Sequence, residues 1–423
     1  MGQVLNKNKR VLIAMSGGVD SSVAAYLLKK QGYDVIGIFL KLWNPPCYDS
    51  CGSKKQNLCC DDKAMDNARQ VAGKLKIPFY VLKVDKLFKK EIVDNFVSEY
   101  EQGKTPNPCV RCNKYVKFGY LWEKARQLKT DYLATGHYVR KSQISNLKSQ
   151  NFGVASRRLK LPITNYQLQR SKDPIKDQTY FLSSIDSKII PHLLFPLGGL
   201  TKKEVREIAK KAKISVYNKK DSQGICFIPD GDMDMFLKHF SSPLQRRGNI
   251  VDKKGNILGR HQGLLGYTIG QREGINSEIA NKYFKFKILN LKFKIKGKDI
   301  PRLYVIAIDS RKNRLVIGEN EDCFSDTMTI ENVNILDKRF WELFKKKKVF
   351  LAQIRGGHKP EKALLFLENP KSQIPNPKQI TNPKSQKINK LIVKFAKPVR
   401  AITPGQTVAL YEKNILIAGG IIK

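Results

Sequence analysis

The sequence has no run of about 18 apolar residues, the minimum for an α-helix that crosses a bilayer, so we expect no membrane-spanning helix. Acidic residues are scarce, because 37 Asp and Glu stand against 78 Lys and Arg, and the formal net charge is +41. A charge of this sign attracts polyanions, including RNA, DNA and anionic membrane surfaces. Lysine, asparagine and isoleucine are abundant throughout the chain, so the charge alone identifies no partner.

The N-terminal residues lack the features of a sorting signal. The stretch from Met1 to Arg10 is short and basic, and strand-like residues begin at Val11, which leaves no room for a signal or transit peptide. Gly2 is followed by Asn6, where a myristoylation motif requires Ser or Thr. We therefore expect a cytoplasmic protein. In that compartment its eight cysteines indicate metal binding, redox or catalytic work rather than a disulfide scaffold.

Length and periodicity predict an α/β protein of several domains. A chain of 423 residues exceeds one core of ~150 residues, and 41% hydrophobic residues exclude wholesale disorder. In the N-terminal half, predicted strands (Val11–Met15, Val35–Leu40, Phe79–Val84, Asp131–Tyr138) alternate with predicted helices (Asp20–Gln31, Asp61–Lys76, Leu87–Tyr100, Phe118–Leu128, Thr201–Lys211). Strands separated by helices predict a parallel sheet that helices cover on both faces.

Beyond Asp221 the pattern changes to glycine-rich turns and then, from Pro301, to short β runs. The predicted strands of this part are Leu303–Ile308, Arg314–Ile317, Val349–Ile354, Leu391–Phe395, Thr407–Tyr411 and Ile415–Ile422. Evenly spaced short strands are typical of a small barrel. We predict three domains: a nucleotide-binding-like α/β domain over residues 1–216, a small central β-rich domain over 217–278, and a C-terminal β-barrel over 279–423.

Three segments have the composition of insertions. Residues 142–162 and 369–387 are polar, and Asn-Pro-Lys recurs within the second of them. Proline at this density prevents regular strand pairing, so both are predicted to be exposed loops. Residues 279–300 form the third segment, and the alternation of lysine with apolar residues over Tyr283–Lys298 predicts an added hairpin.

The motif Ser16-Gly-Gly-Val-Asp-Ser21 lies between a predicted strand and a predicted helix. Glycines there allow a tight turn whose amides point into one concavity, and the helix N-terminus adds positive partial charge. This arrangement suits a pyrophosphate, although the Lys-Ser/Thr of a Walker motif is absent. The alternative is an ordinary turn in which Asp20 or Ser21 caps the helix.

Two cysteine motifs stand far apart in the chain. Cys109-Val-Arg-Cys112 follows two prolines, and we expect Cys112 just before a helix that begins near Tyr115, where the helix N-terminus and cationic neighbours stabilise a thiolate. Cys226 lies in the Gly-adjacent stretch from Asp221 to Pro229. A Cys-x-x-Cys pair is by itself also compatible with half of a zinc site.

The Ser-Gly-Gly-x-Asp-Ser motif resembles the signature of the PP-loop ATP pyrophosphatases. That resemblance implies ATP and Mg²⁺ as cofactors, cleavage of ATP between its α and β phosphates, and adenylation of a substrate. Leu40 resembles the position near the adenine, and Gly136 of Ala134-Thr-Gly-His137 resembles the second glycine that contacts the nucleotide. The implied ATP-binding residues are Ala14, Met15, Ser16, Gly17, Gly18, Val19, Asp20, Ser21, Leu40 and Gly136.

Together with the two cysteine motifs, this loop resembles the tRNA-specific 2-thiouridylases, with matching motifs from Ser16 to Gln406. The resemblance implies that ATP adenylates the 2-oxygen of the wobble uridine and that sulfur then displaces AMP. Cys226 corresponds to the residue that receives sulfur as a persulfide. Cys112 corresponds to the nucleophile, and the two can form a transient disulfide. A persulfide exchanges readily with a neighbouring thiolate, which agrees with these roles.

The same resemblance assigns the remaining contacts and the partners. Asn107, Pro108 and Cys109 correspond to the segment beside the target base. The corresponding tRNA contacts are His137, Lys176, Asp177, Gln178, Arg355, Gly356 and Gln406. The implied partners are tRNAs with anticodon arms of the Lys, Glu and Gln types, and a cysteine desulfurase or sulfur-relay protein as sulfur donor.

This sequence departs from the family pattern at two of these positions. Many members carry Asp where Cys109 stands, so that Cys109, Cys112 and Cys226 offer an alternative three-thiolate site for a [4Fe–4S] cluster that delivers hydrosulfide. Gly356 stands where an aromatic residue is common. Cys47, Cys51, Cys59 and Cys60 match no standard zinc spacing, and we predict a loop near the nucleotide there. Two rival functions are a PP-loop amide or amidine synthetase, which needs no cysteine pair, and a non-catalytic RNA-binding protein.

Overall fold

The computed structural model describes residues 9–43, 62–144, 166–221, 224–228, 231–240, 246–275, 277–288, 302–368 and 390–423. The strands within these ranges are β1 (Arg10–Ala14), β2 (Asp34–Lys41), β3 (Phe79–Lys83), β4 (Tyr132–Ala134), β5 (Val139–Gln143), β6 (Tyr166–Arg170), β7 (Leu193–Leu194), β8 (Gly248–Val251), β9 (Ile257–His261), β10 (Tyr304–Asp309), β11 (Arg314–Gly318), β12 (Phe324–Ile335), β13 (Phe350–Gln353), β14 (Glu361–Leu367), β15 (Lys390–Arg400), β16 (Thr407–Glu412) and β17 (Ile415–Ile422).

The α-helices within these ranges are α1 (Val19–Lys30), α2 (Asp62–Lys74), α3 (Asp85–Phe88), α4 (Asn95–Glu101), α5 (Pro108–Cys112), α6 (Leu121–Gln127), α7 (Lys202–Lys211), α8 (Met233–Phe240), α9 (Ser277–Ile288) and α10 (Phe340–Lys345). Two π-helical segments, Lys89–Asp94 and Asn113–Tyr120, join α3 to α4 and α5 to α6. Short 3₁₀ turns span Thr179–Leu182, Ser187–His192 and Glu321–Cys323. No helix of the described ranges is long and apolar enough to cross a membrane.

The first sheet is parallel and has the strand order β3-β2-β1-β4-β7. Its central strand β1 is buried on both faces. Val11 and Ile13 pack into the core beneath α1, α2 and α7, whereas Leu12 packs into the core on the side of α6. A strand covered on both sides is apolar throughout, which explains why the run at Val11 was readable from the sequence and confirms the predicted α/β class.

The second sheet has the order β10-β11-β8-β9, and β11 pairs in parallel with β8. The runs at Leu303–Ile308 and Arg314–Ile317 therefore lie in this sheet, and their prediction as strands of the C-terminal barrel was wrong. Strand propensity shows that a run is extended but not which partner it takes. The domain limits at residues 216 and 278 stay predictions.

The described part of residues 279–300 is helical, so the predicted hairpin was wrong up to the end of α9. Ile279, Tyr283 and Phe284 are buried, and this i, i+4, i+5 spacing places them on one helical face. Ile279 packs against Gly259 of β9, where an added Cβ would lie 3.0 Å from its side chain. Most of the other two predicted insertions, at 145–162 and 369–387, lies outside the described residues.

The third sheet has the order β12-β15-β14-β13-β16-β17-β6-β5. A further pairing of β12 with β17 closes six of these strands into a barrel, which confirms the predicted C-terminal barrel. The hairpin β5–β6 comes from the N-terminal half of the chain and joins the barrel along β17. The strand predicted at Asp131–Tyr138 is therefore divided: β4 ends at Ala134 in the first sheet, and β5 begins at Val139 in the third.

The barrel is fastened to the α/β part by close backbone packing. Asn334 donates from Nδ2 to the carbonyl oxygens of Ser183 and Ile185, at 3.0 and 2.9 Å. Gly419 of β17 faces the same turn so closely that an added Cβ would lie 2.6 Å from the carbonyl oxygen of Ser183. Because backbone atoms cannot move aside as a flexible side chain can, glycine is required at this contact.

We expect Gly419→Ala to lower the free energy of unfolding by about 1–3 kcal/mol, the usual cost of an extra carbon in a tightly packed place. Urea denaturation of the full chain measures this. Gly199→Ala is the matched control, since an added Cβ there meets no atom within 4 Å. Equal stability of the two variants would contradict the packing argument.

Candidate active site

A cavity of about 330 Å³ opens at the carboxyl ends of β1, β2 and β4. Ligands of open α/β sheets bind at this edge. The predicted site residues that line the cavity are Ala14, Met15, Ser16, Asp20, Ser21, Leu40, Pro108, Cys109, Cys112, Gly136, His137, Gln178 and Cys226. The structure thus brings the glycine loop and both cysteine motifs to one cavity.

The glycine loop is shaped by two close backbone contacts. Gly17 has φ +69°, and an added Cβ would lie 2.0 Å from the carbonyl oxygen of Ala64 in α2. Gly136, in the loop after β4, approaches the first turn of α1 so closely that an added Cβ would lie 2.8 Å from the amide nitrogen of Ser21. Both positions exclude any side chain: Gly17 packs against α2, and Gly136 packs against the start of α1.

The N-terminus of α1 has an anion-binding character. Gly18 is the N-cap residue, and no side chain caps the helix there. The hydroxyl of Ser22 donates to the Gly18 carbonyl at 2.8 Å, while Ser21 accepts from the Ser16 amide at 3.1 Å and holds the loop against the helix. Amides of an uncapped first turn, together with the helix dipole, suit phosphate oxygens. This favours the phosphate-binding interpretation over an ordinary turn.

Asp20 belongs to an ion network that no sequence motif indicated. Its carboxylate accepts from Tyr138 Oη at 2.8 Å and from Lys202 Nζ at 2.8 and 2.9 Å. Lys202 also contacts Asp221 at 2.7 Å, and Asp221 contacts Lys176 at 2.7 Å. Burial opposes ionisation of Asp221, but hydrogen bonds from Lys176 and Lys202 lower its pKa to about 2.

The cysteine-bearing helix begins earlier than predicted. The helical path starts at Pro108 with Asn107 as N-cap, whose side chain accepts from the Val110 amide at 3.2 Å, so the predicted start near Tyr115 was wrong. Proline suits the first helical position because it has no N–H to satisfy, and this signal was present in the sequence. Cys112 therefore lies inside the helix rather than before it.

Cys112 is only 6% exposed, whereas Cys109 on the first turn is exposed. The expected cationic neighbour Arg111 is turned toward a different partner. Its guanidinium contacts the Glu91 carboxylate at 2.9 Å and lies over the Tyr115 ring at 4.5 Å. The structure thus assigns Arg111 to holding α5 against the preceding helical segment.

Cys226 reaches the cavity because its neighbour is anchored in an aromatic core. The Phe227 ring packs edge-on against Phe88 at 5.7 Å and Phe96 at 5.4 Å. Cys112 belongs to the same buried cluster, and Cys226 packs against it. No disulfide joins the described cysteines.

Within the described ranges, no three His, Cys, Asp or Glu side chains are grouped so that they could hold a metal ion. The arrangement of Cys109, Cys112 and Cys226 thus gives no support to the cluster alternative. Mg²⁺ sites differ, since this ion commonly takes one or two carboxylates together with substrate phosphates. Asp20 lines the cavity beside the phosphate-binding loop and fits that need. Cys47, Cys51, Cys59 and Cys60 lie outside the described residues.

The predicted tRNA contacts lie at several places around the cavity. His137 and Gln178 line the cavity, and Gln178 accepts from the Tyr138 amide at 2.9 Å. Arg355 and Gly356 lie beside the turn after Gln178, since an added Cβ at Gly356 would lie 3.1 Å from the Phe181 ring. Lys176 is paired with Asp221 at 2.7 Å.

The remaining two predicted contacts, Asp177 and Gln406, also have partners within the fold. The Asp177 carboxylate is 5% exposed and accepts from Arg170 at 3.0 Å and from the Thr179 hydroxyl at 2.7 Å. Gln406 donates from Nε2 to the Thr105 carbonyl at 2.8 Å, and the Thr105 amide donates to Pro404 at 2.8 Å. The barrel turn at residues 404–406 therefore holds the segment that leads into α5.

Sequence reasoning missed Lys117 and Thr135, which also line the cavity, and the positioning roles of Tyr138 and Lys202. Lys117 stands one turn after Asn113 on the cysteine-bearing helix, and Thr135 follows β4, so the carboxyl-end rule alone would have found Thr135. Lys202 carried no such signal, because it is one of many lysines in a basic chain.

Three family models match consecutive parts of the chain. They are described as the tRNA methyl transferase HUP domain (residues 9–230), the tRNA methyl transferase PRC-barrel domain (234–319) and the aminomethyltransferase β-barrel domain (375–422).

The chain is also similar over nearly its full length to two bacterial proteins. The chain is 41% identical to the tRNA-specific 2-thiouridylase MnmA of Clostridium acetobutylicum, over 98% of this chain and 100% of that protein. It is 39% identical to the protein of the same name from Clostridioides difficile, over 98% of each chain. A solved 4-thiouridine synthetase–RNA complex with bound ATP is 16% identical over 55% of this chain and 50% of its own, with a TM-score of 0.30, which is too low to support an inference.

His137 predicts a pH dependence of stability. Burial, and secondarily the charge of Lys117, lower the pKa of His137 from 6.5 to about 3. Below pH 6.5 this histidine is protonated in the unfolded chain but stays neutral in the folded chain. The free energy of unfolding therefore falls on acidification, by at most ~1.4 kcal/mol per pH unit. We expect His137→Gln to make the free energy of unfolding depend less steeply on pH below pH 6.5. Urea denaturation at a series of pH values measures this. An unchanged slope would contradict this.

Gln406 predicts a change in thiol reactivity. In Gln406→Glu the side chain can no longer donate to the Thr105 carbonyl. Losing a hydrogen bond of ~1 kcal/mol should raise the fraction of molecules in which α5 is open about fivefold. The rate at which iodoacetamide alkylates Cys112 should rise by the same factor. Peptide mass spectrometry without tRNA measures the rate. Gln169→Glu is the control, since Gln169 donates to Ser142 on the same sheet, away from α5. Equal rates in both variants would refute the positioning role.

Proposed function

Since the chain belongs to the family of tRNA-specific 2-thiouridylases, we propose that it uses ATP to replace the 2-oxygen of a tRNA uridine with sulfur. One observation carries the proposal: the phosphate-binding loop, Cys112 and Cys226 line a single cavity. An amide or amidine synthetase would have no use for two thiols beside its nucleotide, and a non-catalytic RNA-binding protein would have no use for the loop.

In the first step the uridine 2-oxygen attacks the α-phosphorus of ATP, and pyrophosphate leaves. The uncapped amides of α1 bind the pyrophosphate, and the contacts at Gly17 and Gly136 keep the loop backbone close to it. Leu40 lines the cavity, and we assign it to the contact with the adenine. Asp20, which lines the cavity, would hold Mg²⁺, and the ion would supply charge neutralisation for the leaving pyrophosphate.

In the second step the outer sulfur of a persulfide on Cys226 attacks the uridine C2, and AMP leaves. The Cys112 thiolate then attacks the inner sulfur, which forms a Cys112–Cys226 disulfide and releases the thiouridine. In a second order of events, Cys112 first reduces the persulfide, and the released hydrosulfide displaces AMP. In both orders two thiols supply two electrons, and an external thiol reductant regenerates them.

The tRNA approaches the open side of the cavity. We assign Asn107, Pro108 and Cys109 to the target base, and His137, Lys176, Gln178, Arg355 and Gly356 to the surrounding nucleotides. The net charge of +41 favours a polyanionic substrate. The anticodon arms of Lys, Glu and Gln tRNAs, a cysteine desulfurase or relay protein as donor, and a cytoplasmic location complete the proposal.

Replacing either catalytic cysteine should separate the two steps. We expect Cys112→Ser and Cys226→Ser to lower sulfur incorporation into tRNA about a thousandfold or more, because a hydroxyl neither carries sulfane sulfur nor attacks a persulfide. Adenylation should persist in both variants. It is measured as ATP–pyrophosphate exchange in the presence of tRNA. The assay uses [³⁵S]cysteine and a cysteine desulfurase.

Cys323→Ala is the matched control, since Cys323 is a buried thiol outside the cavity. Full sulfur incorporation by either serine variant would refute the proposal. Anaerobic purification with an iron count tests the cluster alternative. Iron-free protein should thiolate tRNA at full rate when Mg²⁺ is supplied, whereas activity that is lost together with iron in Cys109→Ala would favour the cluster.

A further inference from the structure

Lys117 brings a positive charge to the nucleotide cavity. Of the described residues that line the cavity, Asp20 and Lys117 are the only Asp, Glu, Lys or Arg. A lysine ammonium binds phosphate as a point charge, whereas a carboxylate needs a metal ion to do so. Lys117 is therefore the one side chain of this described lining that can contact a phosphate group directly as a permanent cation.

A π-helical segment brings Lys117 to the cavity. Lys117 follows Cys112 by five residues, and in an α-helix such positions lie about 140° apart around the axis. Over Asn113–Tyr120, however, hydrogen bonds join residues five apart, as from the Leu121 amide to the Val116 carbonyl. Positions 112 and 117 therefore lie nearly one above the other, and both side chains line the cavity. Such π-helical turns are frequent at functional sites.

The two neighbours of Lys117 in the chain hold its backbone in place. Val116 is buried in the aromatic core that contains Phe227, and Phe118 is buried in the core on the side of α6. The Phe118 ring lies 5.6 Å from the His137 ring. Because both neighbours are anchored, the Lys117 ammonium is confined to the cavity wall and adjusts to a ligand only through its side-chain torsions.

Lys117 lies between the phosphate-binding loop and the thiols. On one side, Gly136 packs against the start of α1, and His137 follows it directly. Burial lowers the pKa of His137 and the charge of Lys117 lowers it further, so the ammonium lies near that imidazole. On the other side, Cys112 shares the cavity wall with Lys117. In the proposed reaction the α-phosphate belongs at this place, because the pyrophosphate occupies the loop and the activated uridine carbon faces the thiols.

We propose that Lys117 is a catalytic residue that contacts the α-phosphate and stabilises the negative charge that this phosphate gains when AMP leaves. This rests on the proposed function, in which sulfur displaces AMP from the adenylated uridine. The phosphate of that intermediate is a diester with a single negative charge. Attack by sulfur at C2 breaks the bond from C2 to the bridging oxygen, whose electron pair leaves with the phosphate, so that AMP carries about two charges. An ammonium beside it stabilises this charge more in a cavity than in water.

Calorimetry of the full-length protein with AMP and with adenosine tests the contact. Lys117→Met should weaken the binding of AMP about tenfold, as expected for a lost hydrogen bond to a charged group, and leave the binding of adenosine unchanged. Lys117→Arg keeps the charge and should restore most of the lost affinity. Lys90→Met is the matched control, since Lys90 is an exposed lysine of the other π-helical segment, and it should bind both ligands as the wild type does.

Turnover gives a second measurement. In sulfur incorporation into tRNA, Lys117→Met should lower kcat about a hundredfold or more, the usual cost of removing one group that stabilises charge in a transition state. Lys117→Arg should recover a large part of that loss. If Lys117 instead served to keep Cys112 as a thiolate, Lys117→Met would slow alkylation of Cys112 and leave AMP affinity unchanged. That result would overturn the proposal.

Reductive methylation of the wild-type protein tests the contact without a substitution, which guards against a variant that does not fold. AMP should protect Lys117 from methylation, as followed by peptide mass spectrometry, and adenosine should not. Equal protection by the two ligands, or full AMP affinity in Lys117→Met, would overturn the role of Lys117 and leave the proposed function intact. Failure of the wild-type protein to bind ATP, AMP or adenosine would contradict the proposed function itself.

Discussion

Burial of Phe227 is the interaction on which the site depends. Its ring packs against Phe88, Phe96 and Phe236 at 5.4–5.7 Å, in a core shared by α3, α4, α8 and the second sheet. Burying a phenylalanine contributes ~1.5–3 kcal/mol, and edge-on aromatic pairs add to it. Because Cys226 directly precedes this anchor, the hydrophobic effect brings its thiol to a cavity whose other two thiols, of Cys109 and Cys112, lie far away in sequence.

Polar contacts around the cavity add to this apolar packing. The barrel turn at residues 404–406 holds the entry to α5, and Tyr180 donates from its hydroxyl to the Thr407 carbonyl at 2.8 Å. On the other side, Lys202 joins Asp20 to Asp221. The entry to the cysteine-bearing helix and Asp221 are therefore each tied to another part of the molecule.

The barrel helps to hold the residues around the cavity in place. Hairpin β5–β6 leaves the α/β sheet and joins β17, and Arg170 at its end contacts Asp177, Gln353 and the Tyr411 ring, at 3.0, 2.9 and 3.9 Å. Gln353 in turn donates to the Arg355 carbonyl at 3.2 Å. These contacts fix the loop at residues 176–178 relative to Arg355, which is a predicted tRNA contact.

The sequence by itself determined the α/β class, the alternation of strands and helices, the phosphate-binding loop and the two cysteine motifs, because these follow from local periodicity and from residue types that few other roles explain. Only the tertiary structure decided which sheet receives the strands at residues 303–318, that the chain at 279–288 is helical, and that the cysteine helix begins at Pro108. It also selected Lys202 from the many lysines of the chain. Strand partners and shared ion pairs arise from contacts between residues far apart in sequence, and local propensity carries no record of those contacts.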